Sequence, residues 1–94
     1  MLVDFLVHKD GDDVGVVVRD VTAGEKLKGK TLEDGKTYEL EAKEDIPLGH
    51  KIALRDIKEG EKIKEYGEII GRATKDIPKG SHVHVHNIRS LRWG

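Results

Sequence analysis

The chain of 94 residues has no cysteine, one phenylalanine, one tryptophan, two tyrosines and only two prolines. Missing thiols exclude disulfides and thiolate metal centres. With so few rings the core has to come from Val, Ile and Leu, and branched side chains favour strands. No charge sign dominates either: 17 Lys and Arg face 18 acids, the net charge is -1, and the signs interleave along the chain. That describes a solvated surface and offers no basic field to nucleic acid. No run approaches the roughly 18 apolar residues of a membrane-spanning helix. The opening stretch MLVDFLVHKDGDD lacks the positive region and small-residue cleavage site of a secretory signal, so it reads as a first strand of a cytoplasmic protein.

A chain of this length closes round one hydrophobic core, burying about 60 to 65 per cent of its unfolded surface. A single domain over residues 1–94 is therefore expected. A pocket deep enough to exclude water is hard to build within it, so a self-sufficient metalloenzyme is the least expected reading.

What is present is repetition. RDVTAGEKLKG (Arg19 to Gly29) is echoed by RDIKEGEKIKEYG (Arg55 to Gly67), and AKEDIPLGHKI (Ala42 to Ile52) by ATKDIPKGSHVHV (Ala73 to Val85). Two similar segments recurring in the same order predict an internal duplication with pseudo-two-fold symmetry. In each D-(V/I)-x-x-G unit Asp can bond backbone two residues on, the branched residue enters a core and Gly closes the turn with positive φ. Pro47 and Pro78 lack an N–H and mark corners. Between the corners, alternating segments predict strands over Leu2 to Val7, Val14 to Val18, Tyr38 to Ala42, Lys51 to Leu54, Ile69 to Ala73 and Val83 to Ile88. Glu59 to Tyr66 suits a single helical turn, and HKDGDD (His8 to Asp13) a charged hairpin turn rather than a calcium loop.

Three of the five histidines lie in GSHVHVHN, at His82, His84 and His86, and His50 follows the matching Gly of the other half. On a regular strand, period two puts the three on one face, with Val83, Val85 and Ile88 inward. If Ser81 is an insertion, His50 and His82 become equivalent. Alternate strand residues stand about 6.5 to 7 Å apart, so two can share a metal while three in a row need a ligand from elsewhere. The plain alternative is a polar, solvent-facing strand. His50, Lys51, His82, His84, His86, Asn87 and Arg89 also gather donors suited to carboxylate, sulfonate or hydroxyl groups. The tail Ile88 to Trp93 reads either as an apolar patch closing the core or as a docking edge.

The run EDIPLGHKIALRDIKEGEKIKEYGEIIGRATKDIPKGSHVHVHNI resembles the SAF-type domain of the altronate (galactarate) dehydratase and sulfolactate sulfo-lyase family, found at the amino end of the dehydratases and as the free-standing sulfo-lyase small subunit. The likeness spans Phe5 to Arg92, and its GHKIAL, YGxxIGxA and HVHN segments carry it. It implies an all-β, compact β-clip fold and a lyase that removes water or sulfite beside a carboxylate. It further implies a divalent metal, iron or manganese, held mainly by a large catalytic subunit, and a sugar-acid or sulfolactate substrate. Carried over at matching positions, Gly49, His50, Lys51, His84, His86 and Asn87 line the pocket. The expected roles are catalytic for His50, Lys51 and His86, substrate-binding for His84, Asn87 and Arg89, and metal-ligating for His82 and His84. The family's larger domain is missing from this sequence, so the expectation is a small subunit of such a lyase, with a homo-oligomer as a further partner reading. A stand-alone sugar-acid binding or assembly module is the other reading.

Overall fold

A computed structural model describes residues 3–90; Leu2 of the expected first strand, and Arg92 and Trp93 of the tail, lie outside the described residues. Among the described residues there is no helix. The strands are β1 (Phe5–Val7), β2 (Val14–Val17), β3 (Lys26–Thr31), β4 (Thr37–Glu41), β5 (Lys51–Ala53), β6 (Lys62–Glu65), β7 (Glu68–Ala73), β8 (His82–Val83) and β9 (Ile88–Ser90). They form a six-stranded sheet in the order β4-β3-β1-β2-β5-β8 and a three-stranded sheet β6-β7-β9. Only the β1–β3 ladder is parallel. The all-β expectation holds.

Two apolar clusters fill the interior. Phe5, Val7, Val17, Leu27, Ile46 and Ile52 belong to one, and Val14, Ala53, Ile57, Ile63, Ile77 and Val83 to the other. Because neighbouring residues of a strand point to opposite faces, Ile52 enters the first cluster and Ala53 the second, so β5 is a wall between them. β2 serves both as well, through Val17 and Val14.

The corners share one hydrogen-bonding scheme. Around the first, the Arg19 guanidinium bonds Asp4 and Glu25, the Asp20 carboxylate accepts from Leu48 N–H and Asp45 accepts from Ala23 N–H. Around the second, Arg55 bonds Asp13 and Glu61, Asp56 accepts from Lys79 N–H and Asp76 accepts from Glu59 N–H. Single bridges, Val21 to Ile46 and Ile57 to Ile77, close each. The acids of the D-(V/I)-x-x-G units thus cap backbone donors of the facing unit, and not, as expected, those two residues on in their own.

Three expectations change. Glu59 to Tyr66 makes no helical turn: Lys62–Glu65 is strand β6, because Ile63 and Glu65 are buried while their neighbours face out at period two. Strand β3 was not foreseen, since its inward residues Leu27, Gly29 and Thr31 include one aliphatic side chain only. The Gly29 site needs that absence of a side chain, for a Cβ there would run into the Phe5 ring. Thirdly, Ser81 is no insertion. His50 N–H bonds Pro47 C=O at 3.0 Å and Ser81 N–H bonds Pro78 C=O at 3.0 Å, so His50 corresponds to Ser81 and Lys51 to His82.

Candidate functional site

Strand β5 opens on Lys51, directly after His50, and its antiparallel partner β8 places His82 opposite Ile52 at the edge of the large sheet. The expected strand Val83 to Ile88 does not continue. After Val83 the chain makes a turn over 84–87 and resumes as β9 in the other sheet. Asn87 holds the turn: its buried side chain accepts the His84 N–H at 3.0 Å and donates to the His82 carbonyl at 2.7 Å. Asn is suited to this, since its short amide can bond nearby backbone in both senses.

The period-two face is therefore corrected. Val83 is fully buried, but Val85 points out at 80% exposure. The turn nonetheless folds the imidazoles together. The His50 ring stacks on His84 at 4.2 Å between centroids and lies 5.0 Å from His82, which in turn stands 5.0 Å from His86. His50 Nδ1 and His82 Nε2 share a hydrogen bond of 2.9 Å. Four of the five histidines thus meet at one open edge. His82 also ends a shallow groove lined by Asp20, Val21, Thr22, Asp45, Ile46 and Pro47, whose acids are already engaged as caps.

Burial, and then the neighbouring His86 and His50, push the His82 imidazole below its ordinary range. His84 is lowered too, by desolvation followed by His50, His86 and Lys51. Crowded imidazoles resist sharing positive charge, and their lone pairs are thereby kept for a proton or a cation.

Two donor sets are close enough for a metal: His50, His82 and His84, and Glu44, His82 and His86, each with ligand atoms within 4.8 Å of one another. Two nitrogens bound to one ion at about 2.0 to 2.1 Å stand about 3 Å apart. The His50–His82 separation of 2.9 Å matches that spacing, and an ion there would replace the proton the two nitrogens share. An all-imidazole set suits iron among the implied metals, whereas manganese prefers oxygen ligands, of which the second set offers one in Glu44.

Lys51 turns the other way. Its ammonium lies 3.7 Å from Glu65 Oε1, while His8 Nε2 lies 3.6 Å from Glu65 Oε2. Desolvation raises the buried Glu65 carboxyl above its ordinary value, with Lys51 and His8 opposing. His8 stacks on Tyr66 at 3.9 Å. Arg89 sits on β9 opposite Arg72, in the small sheet. His8, Glu44, Glu65 and Tyr66 were not singled out from the sequence. One signal for Glu65 was there: the repeat aligns it with Gly29, a charge where the other copy has no side chain.

Comparison with known proteins follows the same segments. The model of the altronate/galactarate dehydratase SAF domain matches residues 3–91. The (2R)-sulfolactate sulfo-lyase subunit alpha of Chromohalobacter salexigens is 46% identical over 94 residues, which is 99% of this chain and all of that one. Altronate dehydratase of Bacillus subtilis is 43% identical over 84 residues, 89% of this chain but 16% of the enzyme. Galactarate dehydratase (L-threo-forming) of Escherichia coli is 46% identical over 77 residues, 82% of this chain and 13% of the enzyme. The chain thus spans the whole of the sulfo-lyase subunit and a small fraction of either dehydratase, and it belongs to the altronate/galactarate dehydratase SAF domain family.

Proposed function

We propose that the chain is the small subunit of a hydroxy-acid lyase, of the sulfolactate sulfo-lyase or sugar-acid dehydratase type, and forms one wall of an active site completed by a separate large subunit. The observation that carries this reading is the gathering of four imidazoles at one open sheet edge. Such a cluster has a floor and no roof, as suits a site whose other wall is a second protein segment. The names of the relatives agree: one is a subunit, and the dehydratases are far longer chains.

Elimination beside a carboxylate needs a base for the proton on the adjacent carbon, an acid for the departing hydroxyl or sulfite, and positive charge for the enolate-like intermediate. His50 and His86 are the candidate acid and base, and Lys51 the cation that steadies the carboxylate. His84 offers an exposed ring to a substrate hydroxyl. Asn87 acts through the turn, since its amide is committed to His82 and His84 backbone. Arg89 adds a cation on β9. A divalent metal, iron or manganese, would be held mainly by the large subunit, with His50, His82 and His84 as this chain's own ligands. Bound there, it would supply Lewis acidity to an oxygen of the acid.

The test is co-expression with the neighbouring large subunit and assay on sulfolactate, altronate and galactarate. His86→Ala and Lys51→Ala should each lower kcat/KM by about a hundredfold or more without breaking the complex. Full activity in both would overturn the site. Tight calorimetric binding of an acid to the chain alone would instead favour an independent binding module.

A further inference from the structure

A carboxylate buried without hydrogen bonds is costly, and proteins keep one only where it has a task. Glu65, at the end of β6, is 2% exposed, and its Oε2 has no hydrogen-bond partner among the described residues. Packing does not require an acid there, since the aligned position of the other half is Gly29, filled by the Phe5 ring. Two polar groups from the other sheet approach the two oxygens separately, Lys51 from β5 at 3.7 Å and His8 from the end of β1 at 3.6 Å.

The surroundings are built to hold this arrangement. Tyr66 follows Glu65 with φ 58, a conformation that non-glycine residues rarely adopt. It is retained because the buried Asp12 accepts the Tyr66 N–H at 2.9 Å and the Gly67 N–H at 3.0 Å, while also accepting from Lys9 N–H. The turn so fixed lays the Tyr66 ring on His8. His8 and Lys51 remain partly open, their side chains 24% and 33% exposed. Lys51 adjoins His50, and its charge is felt at His84, so this face continues the histidine edge.

We propose that Glu65 is the positioning residue that holds the Lys51 ammonium and the His8 imidazole side by side, and that His8, backed by Tyr66, is a further group presented to the acid end of the bound hydroxy acid. The substrate half of this inference rests on the lyase reading above; the positioning half does not.

The full chain alone tests positioning. Carboxyl-labelled NMR follows the Glu65 titration, with Lys51, His8 and Asp12 as the charged groups facing it. Lys51→Met and His8→Asn should each move the Glu65 midpoint further up, because each removes a neighbour that opposes the upward shift. A midpoint unmoved by both overturns the positioning role.

In the co-expressed complex, Glu65→Gln keeps the shape and removes the charge. It should raise KM for the acid by about tenfold or more, with kcat changed less and the melting temperature of the chain no lower than the wild type's, and Glu65→Asp should restore part of the loss. His8→Asn should act on KM in the same direction. Unchanged KM in both overturns the substrate half. If Glu65→Gln fails to fold, His8→Asn and the two titrations decide. A wild-type complex with no lyase activity defeats the lyase reading and the substrate half together, while the titrations still report on positioning.

Discussion

Asn87 uses both ends of its amide on the backbone that carries His82 and His84, so removing it acts on shape before chemistry. Asn87→Ala should cost about 2 kcal/mol, the sum of two modest hydrogen bonds and the groups they leave unpaired; urea unfolding measures it. Asn87→Asp keeps the acceptor and should fall in between. Titration effects have opposite signs at the two polar clusters. Glu65 is raised from 4.5, so its contribution to stability is full below that value and is lost as pH rises through its folded value. Glu65→Gln should therefore gain on the wild type as pH rises above 4.5, a trend read from melting temperatures at increasing pH. His82 and His84 are lowered from 6.5, so their contribution is present above 6.5 and is lost as pH falls through their folded values. In the wild type the melting temperature should drop on acidification below 6.5, and His82→Asn should remove part of that drop.

Among the strands, β3 and β8 show what the sequence could tell and what it could not. The corners were legible because Pro and Gly fix dihedrals locally, while the Asp side chains that mark them bond the facing corner instead. Strands with alternating or branched side chains were legible too, and β2, β4, β5 and β7 lie within about a residue of their expected places. β3 was hidden because its inward face carries Gly29 and Thr31, and alternation is visible only when the inward residues are apolar. The histidine segment misled in the opposite sense. HVHVHN alternates perfectly, yet the Asn87 amide outweighs the pattern and turns the chain after Val83. The concentration of histidines was visible in the sequence, but which atoms meet was not, because contacts between β5, β6 and the β1 end are tertiary. Gly29→Ala tests the hidden strand: its Cβ would enter the Phe5 ring, and overpacking of this kind costs about 1 to 3 kcal/mol. Adding Phe5→Leu should recover part of the loss, as a double-mutant cycle would show.

For the molecule as a whole, β2 and β5 tie two small cores into one unit, since each strand serves both. Ile46→Ala and Ile77→Ala sit in different cores, and each should cost about 2 to 5 kcal/mol. Both should shift a single cooperative transition, with no intermediate in which one core survives. Cooperative unfolding also sets the timing of amide exchange along the histidine edge. The amides of Ile52 and Ala53 lie in the shared wall and should exchange only when the entire chain opens, whereas those of the His84 to Asn87 turn can exchange through local fraying. His50 and Lys51 therefore stand on the slowest-exchanging ground in the protein, and His84 and His86 on faster-moving ground that a partner subunit or a bound ligand would slow.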